Sequence, residues 1–556
     1  MTFVITDACC NDGACAVHCP VQCIRPRRGE AGHATAEQLY IDPATCIECS
    51  VCRDVCPVGA VYADVDLPEH LTDYARINAE HFEEWPIVDW SESPDRRRVL
   101  PADRPHLRVA VVGSGPAGCY AVQALASVPG VQVTLIERLP TPFGLVRTGV
   151  APDHPQTKRV VDQFHQVLAG ESVRCRFNVE LGRDVLIEDL LDHHHAVIYA
   201  GGAEVDRPLD IPGADLPGSY AARDFVAWYN GHPDFSDRTF DLASSTAVVI
   251  GNGNVALDAA RVLARAPATL RDTDMADHAI DRLAQSGIRD VHVVARRGPE
   301  SGAYTLSELL SLSRMDGVDL ITQPHEAVLQ EQVMTALVGT GVSKSLMRKL
   351  QIVAAASGRR AASDRRRIFL RFLLSPVSIN GEHCVESVTF SRNALTVVDG
   401  RLQMHATGEL ETFQTGLVLR AIGSRGRSVP GLPLDDASGT IPNRLGRVTD
   451  SKSGAPLPGL YCVGWIKRGA TGVIGTNRQC ADETVDSLLE DFHSGRLAAP
   501  RFESSGFDRL IATRQPHVVD YGGWLRIDAL ERARAKGKRP RSKITDIGEM
   551  IRAAGA

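Results

Sequence analysis

The chain has 556 residues, of which 44% are hydrophobic and 23% are charged, and its net charge is -7. This composition is typical of a globular protein with several domains, and the mild acidity argues against a general nucleic-acid binder. The sequence contains no run of about 18 apolar residues, so we expect no membrane span. The N-terminus lacks the basic and apolar regions of a secretory signal.

Cysteines are concentrated at the start of the chain. Nine of the fourteen cysteines lie within the first 56 residues. In a long chain without a recognisable signal, such a cluster more often binds metal than forms disulfides, so we expect a reducing, cytoplasmic location. Residues 1–66 are the predicted metal-binding domain. The charged, proline-containing stretch 67–106 is predicted to be a linker, with one helix near 69–84 that packs on a neighbour.

The strongest motif is the run Cys46-x-x-Cys49-x-x-Cys52-x-x-x-Cys56-Pro57. This spacing is typical of bacterial ferredoxins, in which three thiolates hold one cluster and the fourth binds the other. Zinc would need only four ligands, usually as two CxxC pairs, so an iron–sulfur site is favoured. An incomplete copy of the run, which ends in Cys-Pro but lacks a CxxC, comes earlier and contains Cys9, Cys10, Cys15 and Cys19.

Residues 1–66 therefore resemble the two-cluster ferredoxins, which have an α+β fold. The resemblance implies that one [4Fe–4S] cluster is held by Cys46, Cys49 and Cys52 together with Cys19. It also implies that the other cluster is held by Cys9, Cys15 and Cys56. Three thiolates would favour a [3Fe–4S] cluster there, whereas a fourth ligand from Cys10 would permit [4Fe–4S]. We expect Cys23 to be a small buried residue.

Two copies of a nucleotide-binding signal follow. A β pattern from Leu107 to Val112 leads into Gly113-x-Gly115-x-x-Gly118, and a second at 247–250 leads into Gly251-x-Gly253-x-x-Ala256. Glycines at this spacing let the backbone approach a pyrophosphate at a helix N-terminus. The fold class is therefore predicted to be α/β, with two Rossmann-like dinucleotide-binding domains after the ferredoxin domain.

The residue at the end of the next strand distinguishes the two sites. Glu137 lies 19 residues after Gly118, and an acid there accepts hydrogen bonds from a ribose 2′-hydroxyl but repels a 2′-phosphate, which favours FAD or NAD. At the second site the matching strand ends in Arg296 and Arg297, which favour NADP(H). Such an enzyme would convert hydride transfer at the flavin into one-electron transfer to an adjacent cluster.

Longer segments resemble adrenodoxin reductase and its bacterial ferredoxin–NADP reductase relatives. They are LPTPFGLVRTGVAPDHPQTK at 139–158, FVAWYNGHP at 225–233, GNGNVALDAARVL at 251–263 and GWIKRGATGVIGTN at 464–477. The fused ferredoxin resembles the two-module actinobacterial ferredoxin/ferredoxin–NADP reductases. The resemblance implies an FAD-binding domain formed by 107–205 and 420–490, with the NADP-binding domain 206–419 inserted. For the C-terminal helical extension 491–556 we predict a solvated surface, or alternatively a docking site for an acidic partner.

The resemblance also implies the site residues. Besides the glycines of the first loop, FAD would contact Ala117, Glu137, Leu145, Leu181, Trp465, Gly472, Val473 and Ile474. NADP would contact Asn252, Gly253, Asn254, Val255, Arg296, Arg297, Glu308 and Gly472. His154 is the candidate catalytic residue, close to the flavin. Relatives carry a second acid one helical turn after Glu308, where this chain has Ser311.

These observations predict an NADPH-dependent flavoprotein reductase. Electrons would pass from NADPH through FAD to the chain's own iron–sulfur clusters or to a separate ferredoxin, and then to acceptors such as cytochrome P450. The alternative is an electron-input subunit of a larger complex, like the small subunit of glutamate synthase. A further hypothesis is that the ferredoxin part is only a structural or docking module.

Overall fold

The computed structural model describes residues 2–30, 32–87, 98–329, 331–339, 342–359, 364–398 and 401–556. It contains a small N-terminal module, two units built on parallel sheets, and a C-terminal group of helices. Among these described residues, no helix combines the length and the apolarity that a bilayer crossing requires.

The N-terminal module has little regular structure. Its strands form two antiparallel pairs, Phe3–Ile5 with Val61–Ala63 and Ile24–Arg25 with Tyr40–Ile41. Each cysteine run contains one short helix, and these helices are Ala14–His18 and Val51–Asp54. Two 3-10 turns, His33–Thr35 and Asp64–Asp66, complete the module. Cysteine thiols fill much of the interior that apolar side chains would otherwise occupy.

The predicted linker contains the turn Glu69–Leu71 and the helix Asp73–Glu84. This helix joins the module to the second sheet unit, because its apolar side shares one buried cluster with Val4, Leu306 and Leu310. Residues 88–97 of the predicted linker lie outside the described residues.

The buried Asn78 fixes the same helix to the module. Its side-chain oxygen accepts hydrogen bonds from the backbone N–H groups of Ile5, at 3.2 Å, and Ile41, at 2.9 Å. Its amide nitrogen donates to the carbonyl oxygen of Ile5 at 2.8 Å. The helix is therefore a structural part of the module.

The first sheet unit has seven strands, of which five run parallel. In spatial order they are Asn443–Arg444, Arg447–Thr449, Pro456–Cys462, Ala196–Tyr199, Leu107–Val112, Val131–Glu137 and Val173–Phe177. Its helices are Pro116–Ala126, Leu145–Thr148, Pro155–Lys158, Val160–Leu168, Ile187–His193, Trp465–Arg468 and Thr476–His493. Strands buried on both faces, such as Leu107–Val112, are continuously apolar, as expected for a parallel sheet covered by helices.

The second sheet unit has six parallel strands. Their order is Ser219–Ala221, Leu417–Arg420, Thr246–Ile250, Asp290–Val294, Arg366–Arg371 and Val318–Thr322. An antiparallel sheet, Leu374–Asn380, Ser387–Val398 and Arg401–Gln414, lies beside it. The helices and 3-10 turns are Ala222–Tyr229, Pro233–Phe235, Asn254–Ala264, Pro267–Leu270, Asp277–Ala284, Pro299–Ser301, Leu306–Ser313, Pro324–Ala327, Glu331–Gly339 and Lys344–Ser357.

A short ribbon connects the two sheet units. The chain enters the second unit through the strand Val205–Asp206 and leaves it through Ser424–Arg425, and these strands pair antiparallel. The second unit is thus an insertion in the first, since the strands of the first unit come both before and after it in the chain.

The C-terminal segment contains the helices Ser504–Arg514, Tyr521–Ala533 and Ile547–Ala554. They are packed against the body of the protein, and the side chain of Trp524 is only 1% exposed. The prediction of a solvated extension is wrong, because the sequence pattern did not show that this tail completes the core of the first sheet unit.

Buried ion pairs attach the same tail. Arg147 donates a forked pair of hydrogen bonds to Glu531, one of them 2.9 Å long between Nη1 and Oε2. Lys543 Nζ lies 3.0 Å from an oxygen of Asp274, which belongs to the second sheet unit. The C-terminal segment therefore forms ion pairs with both sheet units.

Candidate functional site

The first glycine loop has the shape that a pyrophosphate requires. A Cβ at Gly113 would lie 2.6 Å from the carbonyl oxygen of Ala200, and one at Gly118 would lie 1.8 Å from that of Gly113. At Gly115, by contrast, no described residue other than its chain neighbours has an atom within 4 Å of the Cβ position. The loop is tightly packed on its protein side and open at the start of the helix Pro116–Ala126, where the N-terminal amides attract an anion.

Glu137 ends the second strand of this unit, as the sequence predicts. One carboxylate oxygen accepts hydrogen bonds from the N–H and the hydroxyl of Ser114, at 2.9 and 2.7 Å, and the other from the N–H of Leu139, at 3.0 Å. These bonds hold the carboxylate beside the glycine loop. The oxygen that accepts from Leu139 retains capacity for a further donor such as a ribose hydroxyl.

The second glycine loop repeats this geometry. A Cβ at Gly251 would lie 2.2 Å from the carbonyl oxygen of Ala421, whereas around the Cβ position of Gly253 the described residues beyond its chain neighbours leave 4 Å of open space. Asn254 begins the following helix, and its side-chain oxygen accepts the N–H of Thr305 at 2.9 Å. Asn252 and Val255 lie on the same turn, and Val255 is exposed.

Arg296 and Arg297 follow the strand Asp290–Val294, and both are exposed. Their backbones are fixed, since the carbonyl oxygen of Arg296 accepts from Asn393 at 3.0 Å and that of Arg297 from Leu373 at 3.2 Å. Within the described residues neither guanidinium group has an ion pair. Both groups are thus available to a phosphate.

A charged cluster joins the two sheet units. The fully buried guanidinium of Arg261 contacts Asp153 at 2.8 Å, Glu308 at 2.7 Å and Asp258. His154 lies against the same cluster, with Nδ1 3.6 Å from Oε1 of Glu308. Glu308 thus provides a carboxylate beside His154, and Ser311 occupies the position at which the resemblance predicts a second acid.

The cluster controls the charges of its acids. Burial alone would raise the pKa of Asp153, but Arg261, His154 and Arg265 outweigh it and lower this pKa to about 2. Burial raises the pKa of Asp258 to about 6 against the attraction of Arg261. His154, Asp258 and Glu308 are close enough together to bind a metal ion, but the guanidinium of Arg261 already supplies the cation that both acids need.

The segment before the helix Thr476–His493 lies beside the first glycine loop. A Cβ at Gly464 would lie 2.5 Å from the Cβ of Ala117, and Trp465 Nε1 donates to the carbonyl oxygen of Thr471 at 3.0 Å. Residues 472–474 form the turn that leads into the helix. The structure therefore brings Ala117, Trp465 and residues 472–474 to one region.

Two residues predicted to contact the flavin, Leu145 and Leu181, differ in their exposure to solvent. Leu145 begins the helix Leu145–Thr148 and is 47% exposed, next to Gly144, whose Cβ would lie 2.9 Å from Gly115. Leu181 is buried in a hydrophobic cluster of the first sheet unit, on the face of the sheet opposite to the helix Pro116–Ala126. A flavin contact of Leu181 stays a prediction.

The cysteines of the module form two groups, and one surrounds a cavity. The cavity is small and is lined by Cys19, Cys46, Cys49 and Cys52, here called the second thiol group. Cys23 also lines it, with Sγ 3.5 Å from Sγ of Cys19. The predicted ligand set therefore converges on one space, although the ligand roles themselves stay a prediction.

Cys9, Cys10, Cys15 and Cys56 form the first thiol group. Burial raises the pKa of the Cys9 thiol to about 12, and Cys56 adds to the effect. Burial, Asp12 and the thiolates of Cys9 and Cys56 raise the pKa of Cys10, and the pKa of Cys15 is raised in a similar way. Buried thiols that disfavour one another's ionisation fit a metal cluster, whose iron would supply the compensating positive charge.

Sequence reasoning missed several residues of this region. Arg261 and Asp258 lie in the quoted segment 251–263, where Asp-x-x-Arg places both on one helix face. Cys23 is buried, as predicted, but it also lines the cavity of the second thiol group, and it follows Cys19 at the same spacing as the predicted ligand pair Cys15 and Cys19. No local pattern points to Arg147 and Glu531, because the two residues are 384 positions apart.

Comparison with known proteins gives two family matches. Residues 107–365 match the pyridine nucleotide-disulphide oxidoreductase family, and residues 39–62 match the 4Fe-4S binding domain. The first match begins at the strand that precedes Gly113, and the second contains the cysteine run that starts at Cys46.

Relatives match over the whole chain or over its reductase part. The chain is 44% identical over 563 residues to a probable ferredoxin/ferredoxin–NADP reductase of Mycobacterium tuberculosis, covering 100% of this chain and 95% of the relative. It is 41% identical to a mitochondrial NADPH:adrenodoxin oxidoreductase of Arabidopsis thaliana, covering 81% of this chain and 95% of the relative. The solved structure of Mycobacterium tuberculosis FprA in complex with NADPH has a TM-score of 0.76 and 41% identity, and covers 81% of this chain and 100% of that chain.

Proposed function

The chain belongs to the family of ferredoxin/ferredoxin–NADP reductases, which are oxidoreductases, and on that basis we propose that it passes electrons from NADPH through FAD to two iron–sulfur clusters in its own N-terminal module. A separate ferredoxin or another redox protein, such as one that serves a cytochrome P450, is then reduced. One NADPH and two oxidised one-electron acceptors give NADP⁺, one proton and two reduced acceptors.

One observation carries the proposal: a cysteine-rich module packs against a reductase unit that has two open glycine loops. FAD would be held by the loop 113–118, Glu137 and residues 472–474, where its isoalloxazine converts two-electron into one-electron transfer. NADPH would be held by residues 252–255, Arg296 and Arg297, with its nicotinamide near His154 and Glu308.

The second thiol group would hold a [4Fe–4S] cluster. The first thiol group would hold a [3Fe–4S] cluster on Cys9, Cys15 and Cys56, or a [4Fe–4S] cluster if Cys10 is the fourth ligand. The electron paramagnetic resonance spectrum of the protein as isolated separates the two, because an oxidised three-iron cluster is paramagnetic and an oxidised four-iron cluster of this kind is silent. The cysteine chemistry favours a reducing, cytoplasmic location.

Anaerobic titration of the purified holoprotein with NADPH tests the function. We expect the flavin absorbance to bleach and the resonance signals of reduced clusters to appear, with NADH much less effective. In the same titration, NADPH should still bleach the flavin of cluster-free protein. In a separate turnover assay, this cluster-free protein should no longer reduce cytochrome c. Bleaching without any cluster reduction in the holoprotein would leave the module a structural or docking part and would end the proposal.

A further inference from the structure

The N-terminal module touches the reductase at the segment expected to line the flavin. The N–H of Gly475 donates to the carbonyl oxygen of Cys10 at 2.7 Å. A Cβ at Gly475 would lie 2.1 Å from the carbonyl carbon of Asn11, so that only glycine permits this approach. Residues 472–474, which are the predicted flavin contacts, immediately precede this hydrogen bond in the chain.

Charged and polar side chains hold the same contact. Arg478 Nη1 donates to the carbonyl oxygen of Asp12 at 3.0 Å and lies 3.3 Å from its carboxylate. A hydrogen bond of 2.8 Å joins His33 to Gln479. Asp12 is almost wholly buried, so that its charge depends on Arg478.

The two thiol groups lie differently with respect to this contact. Cys10 belongs to the buried cluster that fills the first sheet unit, and Cys9, Cys56 and Ile474 pack against that cluster. Cys15 of the first group, and Cys19 and Cys52 of the second, belong to a cluster composed only of module residues, against which Cys9 and Cys56 also pack. Among the module cysteines in the described residues, only members of the first thiol group, Cys9, Cys10 and Cys56, contact the core of the first sheet unit, so this group is the one next to the reductase.

The second thiol group is closer to solvent. Cys49 is exposed, unlike the other eight cysteines of the module. The adjacent Ile47 is 56% exposed, and both residues line the cavity of the second group. Residues 1–66 carry nine acidic and four basic residues, which favours a partner with a cationic face.

We propose that the first thiol group is the entry side of the module and receives electrons across the contact with residues 475–478. The second thiol group is the exit side, on which a separate one-electron redox protein with a cationic face docks over Ile47 and Cys49. This inference rests on the proposed function. One electron crosses the contact at a time, and each one leaves at the exit side to a single external acceptor.

Removal of one thiol group at a time tests the order. In Cys15→Ala, the second group should still be reduced by dithionite, but its reduction by NADPH should slow at least tenfold. In Cys49→Ala, the first group should be reduced by NADPH at the unaltered rate, while reduction of cytochrome c falls at least tenfold. Rapid-freeze paramagnetic resonance assigns each signal, because each variant retains one group. The reverse pattern, or equal slowing in both variants, overturns the order.

Two variants of the contact provide a readout that does not depend on turnover. Arg478→Ala and Gly475→Val should raise deuterium uptake in residues 9–16 and slow cluster reduction by NADPH. Arg514→Ala, which removes an arginine–aspartate pair elsewhere in the reductase, should do neither. Raised uptake with unaltered cluster reduction would refute the entry assignment.

The exit surface has its own matched pair. Ile47→Arg should raise the KM for cytochrome c at least tenfold, whereas Val65→Arg adds the same charge at another exposed site of the module and should change it less than threefold. Equal effects would contradict the docking site. If the clusters of the unaltered protein stay oxidised with NADPH while the flavin bleaches, the proposed function itself has failed, which is a different result from a wrong order.

Discussion

Replacement of Arg296 and Arg297 by alanine should remove the preference for NADPH over NADH. Each guanidinium could make charge-assisted hydrogen bonds to a 2′-phosphate, which contribute about 1.5–3 kcal/mol when well shielded. Both side chains are exposed, so solvent screening reduces this value. We therefore expect the double variant to lose about 1–3 kcal/mol of discrimination, or about 5- to 150-fold in the ratio of kcat/KM values.

The assay compares kcat/KM for the two nicotinamide cofactors, with ferricyanide as the acceptor so that the module is not needed. Because neither guanidinium has an ion pair among the described residues, the free energy of unfolding should change by less than about 0.5 kcal/mol. Arg282→Ala, an exposed arginine in the same unit, is the control. If the ratio of kcat/KM for NADPH to kcat/KM for NADH is unaltered in the double variant, Arg296 and Arg297 do not bind the 2′-phosphate.

Three further results are expected. Glu531→Ala should lower the free energy of unfolding by about 3–5 kcal/mol in denaturant titration, since it leaves the buried Arg147 unpaired; an effect below 1 kcal/mol would contradict a buried pair. The pKa of Asp153 is about 2 in the folded protein, so its stabilisation is present above pH 4 and is lost as the pH falls towards 2, and Asp153→Asn should flatten that part of the stability profile by about 2 kcal/mol. Gly118→Ala should abolish flavin absorbance in the purified protein, because its Cβ would lie 1.8 Å from the oxygen of Gly113; a yellow variant would show that the loop adapts.

The glycine loops were predictable because local chemistry fixes them. Only glycine permits the close approaches at Gly113, Gly118 and Gly251, so the spacing alone indicated the turns, and the strands before them are short apolar runs. The cysteine run that begins at Cys46 was informative for a similar reason, since thiols at those intervals have few other uses.

The rest depends on contacts between distant parts of the chain. The cluster around Arg261 combines Asp153 from one unit with Glu308 from the other, and no window of sequence contains both. The tail from 491 onwards is partly basic, which suggested solvent exposure, yet Trp524 and Glu531 are buried because Trp524 packs into the core of the first sheet unit and Glu531 pairs with Arg147. The helix Asp73–Glu84 lies close to where the sequence predicts a helix, but its sequence could not predict that it would pack against Leu306 and Leu310.

The helix Asp73–Glu84 has a kinetic consequence. Separate electron carriers must find their reductase by diffusion, so their rates follow concentration and, where charges steer the encounter, the salt content of the medium. Here the helix binds the carrier module and the second sheet unit together, through Asn78 on one side and Leu306 and Leu310 on the other. In the proposed electron path, delivery to the fused module would therefore be a first-order event. Dilution of the protein, or a change of ionic strength, would then slow only the final hand-over to an outside acceptor.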